Sequence, residues 1–310
     1  MNYRHAFHAG NFADCVKHAV LIWLLRALQR KPAPAFVLDS HAGPGWYDLL
    51  QGPAARTCEW REGIGKLLHE PPGALEDYVS LVRAAVCPAP RAEQGTTTRG
   101  EQGARTLFSR APPIRVGEES RPLLAYPGSP LLIRALLRPG DRLACCERQP
   151  DDHVALRRLF ARDLSVSVHH RDAWEALRAL LPPREHRGLI LIDPPYESPT
   201  ELTDLVGGLR AGWTRFRTGV FVAWYPIKHR TPVRALHTAM QEAGIRDIVA
   251  VEFVLRTPLN PARLNGCGLL VINPPYRFES EVPPILAALL ERLASGEAGE
   301  GTDVIRLVDE

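Results

Sequence analysis

The sequence predicts an α/β domain in which helices wrap a doubly wound, mostly parallel sheet. Three observations predict it. Short apolar runs stop abruptly at an acid, as in Phe36-Val37-Leu38-Asp39, Leu143-Ala144-Cys145-Cys146-Glu147 and Leu189-Ile190-Leu191-Ile192-Asp193. Such runs are expected of strands buried on both faces. Between them lie stretches with helical apolar spacing, and this alternation implies βα units feeding a parallel sheet. Towards the end, apolar runs at 248–255 and 268–272 are joined by a loop alone, which implies an antiparallel hairpin at one edge.

Each element follows in order. Residues 1–12 are polar, aromatic and His-rich, without periodicity. From Ala13 to Arg30 the spacing is helical, with Val16, Val20, Trp23, Leu24 and Ala27 on one face, until Pro32 and Pro34 end it. The strand Phe36–Asp39 runs into the turn Ser40-His41-Ala42-Gly43-Pro44-Gly45-Trp46-Tyr47. Residues 57–86 read as helix in two pieces, broken near Pro71-Pro72-Gly73. Periodicity is then lost, and Gln94 to Gly103 is poor in apolar residues, so a flexible surface loop is expected near 88–120. The block 50–122 is therefore predicted to be a small helical subdomain inserted into a single domain spanning 1–310.

Order returns at Tyr126-Pro127-Gly128-Ser129-Pro130, which opens a helix over Leu131–Leu137. Strands are expected at 142–146, 165–168, 189–192 and 220–224, with helices at 151–162, 172–181, 198–211 and 231–243. After the hairpin come a helix over 279–295, a Gly/Glu linker to Thr302 and a short apolar piece. Counting the hairpin, the sheet has seven strands.

Composition bounds the function. The chain has 310 residues, 45% hydrophobic and 24% charged, as expected of a globular protein. A net charge of +3 permits an anionic partner without demanding one. Nearly all the cations are Arg, since Lys occurs only at Lys17, Lys31, Lys66 and Lys228. The 6 cysteines form no C-x-x-C pair, so neither a metal site nor a disulfide framework is expected. No signal-peptide pattern opens the chain and no run is long enough to span a bilayer, which predicts a cytoplasmic protein without a membrane partner.

The most informative stretch is Asp193-Pro194-Pro195-Tyr196, because ligands of open α/β sheets bind at the carboxyl ends of the strands. Two prolines make that loop stiff. The Asp193 carboxylate and a backbone carbonyl can both accept from an exocyclic amino group, and the Tyr196 ring can stack on a flat heterocycle. Upstream, Asp39 to Gly45 lacks the G-x-G-x-x-G spacing and disfavours a dinucleotide. Glu147 ends the second core strand, where an acid can hold a ribose diol. Asp172 follows the third strand and can bind an adenine amino group, and its position before an apolar helical run also suits a helix N-cap. Acids after the second, third and fourth strands form a series along one rim, the arrangement expected for S-adenosylmethionine. Lys17 and His18 lie in the first helix, where a lone His is commonly structural. Asn273-Pro274-Pro275-Tyr276 repeats the central pattern, but an antiparallel last strand would carry it to the opposite end of the sheet, so a structural role is expected.

Several stretches together resemble the RlmJ family of bacterial adenine-N6 methyltransferases of 23S ribosomal RNA. They are Tyr3-Arg4-His5, Phe7-His8-Ala9-Gly10-Asn11, Asp14, Lys17-His18, Leu38-Asp39-Ser40-His41-Ala42-Gly43, Tyr126-Pro127-Gly128-Ser129-Pro130, Gly188 to Glu197, Trp224-Tyr225-Pro226 and Val271 to Pro275. The resemblance spans the chain except about 88–120 and the extreme C-terminus. It implies a Rossmann-like class I methyltransferase fold and S-adenosylmethionine as cofactor. By the same resemblance Asp193 is catalytic, and Lys17, His18, His41, Ser129, Glu147, Asp172, Ala173 and Asp193 contact the cofactor. Ala173 stands where the family usually has Gly. Tyr3, Pro194 and Tyr196 would meet the substrate base. The expected partner is 23S ribosomal RNA, acted on by a monomer.

Other readings share the core. A DNA adenine-N6 methyltransferase usually adds a target-recognition domain, and no DNA-binding motif is evident here. A non-catalytic nucleic-acid-binding module would not need the acid series. Methylation of a small molecule or a protein would fit the modest net charge.

Overall fold

A computed structural model describes residues 5–86, 125–198 and 200–310. Tyr3 and the 88–120 loop lie outside the described residues.

The core strands are β1 (Phe36–Asp39), β4 (Arg142–Glu147), β5 (Val166–His170), β6 (Gly188–Ile192) and β7 (Val220–Ile227). They pair in parallel, with β1 between β4 and β6, β5 outside β4 and β7 outside β6. Every residue of β1 and β6 is buried, as continuous apolar runs require. Side chains alternate between two apolar layers. Val37, Leu143, Cys145, Leu189 and Leu191 face one, and Phe36, Leu38, Ala144, Cys146, Ile190 and Ile192 face the other.

The first layer is closed by α1 (Phe12–Gln29), α5 (Ser129–Leu136) and α10 (Phe278–Leu293), which contribute Val20, Leu24, Leu132 and Leu289. The second is closed by α7 (Ala173–Leu180), α8 (Glu201–Arg215) and α9 (Arg230–Glu242) through Leu177, Leu209 and Leu236. Helix α6 (Pro150–Leu159) follows β4. Between β1 and β4 lie the short helices α2 (Pro53–Thr57) and α3 (Ile64–Leu67), followed by α4 (Glu76–Val86). Ala54, Ile64, Leu67, Tyr78 and Val82 from this segment join the apolar layer of α1.

The sheet corrects the expected strand count. Among the described residues it has eight strands, in the order β10-β8-β9-β7-β6-β1-β4-β5. The hairpin strands β8 (Ile248–Val254) and β9 (Gly266–Ile272) are antiparallel, and β9 lies between β7 and β8. The additional strand is β10 (Gly301–Val308), antiparallel to β8 at the edge. It was legible only as a short apolar piece because an edge strand shows a mixed burial pattern, not a continuous apolar run. A further two-stranded sheet pairs β2 (Trp46–Asp48) with β3 (Ala125–Pro127). Three-residue strands carry too little pattern to be read locally.

Asn273 follows β9 at the opposite end of the sheet from Asp193, as expected. Its side-chain amide donates to the carbonyls of Arg217 and Gly219 at 2.7 and 2.7 Å, tying that loop to the entry of β7.

Candidate functional site

Because β1, β4, β5 and β6 are parallel neighbours, the residues at their carboxyl ends share one rim. Asp39, Glu147, Asp172 and Asp193 are all delivered there. Two cavities open on this rim. The larger, about 740 Å³, is lined among others by Asn11, Phe12, Lys17, Asp193, Pro195, Tyr196 and Trp224. The smaller, about 160 Å³, is lined by His41, Gly43, Glu147, Asp172, Ala173 and Pro194, with others. Asp193, Pro195 and His5 line both, so the acid of the Asp-Pro-Pro-Tyr loop stands at their junction.

The smaller cavity has the donors and acceptors for a ribose and an amino-bearing heterocycle. Glu147 is buried at the end of β4, and each of its oxygens accepts one backbone N–H, from Gly43 at 2.8 Å and Gln149 at 2.6 Å. A carboxylate has further lone pairs, which remain for a diol. Burial pushes the Glu147 pKa up, against the pull of those N–H groups. Gly43 adopts φ +60°, and a Cβ there would stand 2.5 Å from the Tyr47 hydroxyl, so this turn admits only glycine at close range. Asp172 caps α7, accepting from the Trp174 N–H at 2.9 Å. Ala173 opens that helix and is buried.

His41 lines the smaller cavity and contacts the backbone of Asp193. Its Nδ1 accepts the Asp193 backbone N–H at 3.2 Å. Burial lowers its pKa to about 4, so the ring is neutral at pH 7.

The Asp193 side chain is 17% exposed, enough to be reached from the cleft. Its Oδ2 accepts from Lys17 Nζ at 2.6 Å, and among the described residues Oδ1 accepts no hydrogen bond. Lys17 also meets Asp14 Oδ1 at 2.8 Å, one helical turn earlier. Burial alone would lower the Lys17 pKa, but the two carboxylates outweigh it and hold the ammonium charged well above the ordinary lysine value. Asp14 in turn accepts from the Gly10 N–H at 2.9 Å and contacts His5 Nε2 at 3.0 Å. Asn11 starts the helix by accepting from the Ala13 and Asp14 N–H groups at 3.0 and 3.1 Å.

Tyr196 takes φ 54°, a left-handed conformation costing roughly 1–2 kcal/mol for a side chain of this kind. Its hydroxyl donates to the Trp224 carbonyl at 2.6 Å, and its ring lies 5.6 Å from that of Trp224. The strained turn thus fixes an aromatic wall in the larger cleft.

Three residues expected beside the cofactor do not line the smaller cavity. Lys17 belongs to the larger cleft, against Asp193. His18 is buried behind it, with Nδ1 2.6 Å from the Tyr126 hydroxyl and Nε2 unpartnered among the described residues. Burial and then the neighbouring Lys17 charge lower its pKa to about 3, so it is neutral. Ser129 is buried at the start of α5, close to Asp39. Among the described residues neither side-chain oxygen of Asp39 has a hydrogen bond of good geometry, although Ser129 and the His41 amide lie near it. Burial raises its pKa to about 7, and the Asp193 charge contributes.

Sequence reasoning left Asp14, His5 and Trp224 without roles. The i, i+3 spacing of Asp14 and Lys17 was the available signal; the long-range contact of Lys17 with Asp193 was not.

The family model described as ribosomal RNA large subunit methyltransferase D, RlmJ, matches residues 32–87 and 114–305. Ribosomal RNA large subunit methyltransferase J of Escherichia coli strain K12 is 34% identical over 304 residues, which is 97% of each chain. The protein of that name from Haemophilus influenzae is 32% identical over 304 residues, again 97% of each. A crystal structure of a Legionella pneumophila protein superposes with a TM-score of 0.78 at 32% identity, covering 96% of this chain and 98% of that one. Matched along nearly its whole length, this chain belongs to the RlmJ family of ribosomal RNA large subunit methyltransferases.

Proposed function

We propose that the protein methylates the N6 amino group of an adenine in 23S ribosomal RNA, with S-adenosylmethionine as donor. The observation that carries this reading is the position of Asp193 between the two cavities, with one oxygen held by Lys17 and the other accepting no hydrogen bond among the described residues. The smaller cavity suits the cofactor, since Glu147 can hold a ribose diol and Asp172 with the Ala173 backbone can meet the adenine. When bound, the cofactor supplies an electrophilic methyl group.

The chain's own residues do the rest. The adenine amino group is a poor nucleophile because its lone pair is delocalised into the ring. Asp193 Oδ1 and the Pro194 carbonyl accept its two N–H bonds and draw the nitrogen towards pyramidal geometry. Lys17 holds the Asp193 carboxylate in one orientation. As positive charge grows on the nitrogen, Asp193 stabilises it, and the proton leaves afterwards. Tyr196 stacks on the base, which has left its helix or is unpaired. Fixing both reactants in one site supplies much of the remaining acceleration. One chain lines both cavities, so a monomer suffices, and no described helix is long and apolar enough to cross a membrane.

The test uses tritiated S-adenosylmethionine and protein-free ribosomal RNA from a strain lacking the gene, digested to nucleosides. Label in N6-methyladenosine supports the proposal. Label in DNA and none in RNA would overturn it.

A further inference from the structure

One wall of the larger cleft carries charges that the reaction above leaves unused. It is formed by the carboxyl end of β7 and the 255–265 loop joining β8 to β9. Lys228 follows β7 directly and is exposed, and its ammonium makes no hydrogen bond among the described residues. Arg256 and Arg263 share one carboxylate. Arg256 Nε donates to Glu297 Oε1 at 2.8 Å, and Arg263 donates to Oε1 and Oε2 at 3.0 and 3.1 Å. Three cations therefore face one anion, and all four residues line the cleft.

The arrangement is built, not incidental. The turn bearing Glu297 lies in the Gly/Glu linker, where Glu300 Oε1 accepts the N–H groups of Ser295, Gly296 and Glu297 at 2.7, 2.7 and 3.2 Å. The Ala298 carbonyl accepts from the Thr257 N–H at 2.7 Å and from its hydroxyl at 2.9 Å. Gly299, at φ +87°, approaches so closely that a Cβ would fall 2.1 Å from Thr257 Oγ1. On the other side, Asn265 Nδ2 donates to the Lys228 and Asn260 carbonyls at 2.8 and 2.9 Å, and Arg256 donates to the Leu264 carbonyl at 3.0 Å. The turn leading into β10 is thus pinned to the loop, and both guanidiniums are held before any ligand arrives. Such preorganisation removes an ordering cost from binding.

The cleft is also polarised. Asp14, Glu59 and Asp193 line it beside Lys17, whereas this wall offers guanidinium forks and an ammonium. A neutral base with amino donors suits the carboxylates, and a phosphodiester suits the cations. We propose that Arg256, Arg263 and Lys228 seat the RNA phosphodiester flanking the target adenine, with Glu297 as the residue that positions the two arginines. This rests on the function proposed above.

The experiment measures methylation of ribosomal RNA by the full chain as a function of salt. The variants are Arg263→Gln, Glu297→Gln and, as a control, Arg158→Gln on α6, which is exposed and lines neither cavity. The Arg263 side chain is 52% exposed, so its replacement should not disturb folding. For Arg263→Gln, KM should rise several-fold, and the slope of log(kcat/KM) against log salt should become shallower by about 1. Cofactor affinity should match the wild type. Arg158→Gln should keep the wild-type slope. Glu297→Gln should raise KM although it removes a negative charge, because the arginines lose their anchor. A lower KM there would refute the positioning role, since simple charge cancellation predicts that result. An Arg263→Gln enzyme indistinguishable from Arg158→Gln would overturn the phosphate seat while leaving the methyltransferase reading intact. Absence of RNA methylation by the wild type would bring down that reading itself.

Discussion

Replacing Lys17 by Met should cost stability and turnover together. The Lys17 side chain is 5% exposed, and its ammonium lies 2.8 Å from Asp14 and 2.6 Å from Asp193. The two carboxylates are therefore no further apart than those distances combined. Methionine fills similar space, so the cavity term is small, and the electrostatic term dominates. Removing one partner of a buried ion pair typically costs about 3–5 kcal/mol, because a charge is left uncompensated. Here two like charges are left facing each other, which raises the pKa of one of them in the folded state. A raised folded pKa gives stability that is present at low pH and lost as pH rises through it. Urea unfolding should therefore show a gap of about 3–5 kcal/mol at pH 8 that narrows towards pH 5. Turnover should fall by roughly 10²–10³, the scale of one misplaced electrostatic group. Lys17→Arg retains the charge and should lose less stability, yet its planar fork should displace Asp193 and still impair turnover. Unfolding free energy within about 1 kcal/mol of wild type at pH 8, with turnover within about threefold, would refute the reasoning.

Asp193→Ala should abolish methylation while calorimetry shows nearly unchanged cofactor affinity; normal turnover would remove Asp193 from the reaction. Gly43→Ala should weaken cofactor binding, because its Cβ would meet the Tyr47 hydroxyl at 2.5 Å and the position needs φ +60°; equal affinity in the two proteins would count against this turn as the cofactor cradle. Asp39 is buried, with its folded pKa raised to about 7 from 3.8. Its contribution to stability is greatest below the unfolded value and declines as pH rises through about 7. Asp39→Asn should therefore gain stability relative to wild type between pH 4 and 8, by on the order of 1.4 kcal/mol per pKa unit at most. A difference that does not change with pH would show that Asp39 titrates normally.

Much of the fold was legible because its core strands are buried on both faces. Leu189 to Ile192 must then be continuously apolar, and Asp193 must mark where the strand emerges. The acids at Glu147, Asp172 and Asp193 were placed on one rim by the parallel order alone, and the structure brings them to the cavities as that order requires. The repeated Asn273-Pro274-Pro275-Tyr276 was separated from the site by one inference about strand direction, which the antiparallel pairing of β9 bears out.

What the sequence could determine by itself was thus local or periodic: strand and helix alternation, the stiff Asp-Pro-Pro-Tyr loop, the cap at Asp172 and the family motifs. The tertiary structure decided which distant residues meet. Lys17 turned from the smaller cavity to Asp193, a residue 176 positions away, and left His18 enclosed with Tyr126. The C-terminal piece became an edge strand whose leading turn reaches the larger cleft. Neither outcome has a local signal, because a side chain's charge partner and an edge strand's neighbour are chosen by packing between segments that the sequence does not place side by side.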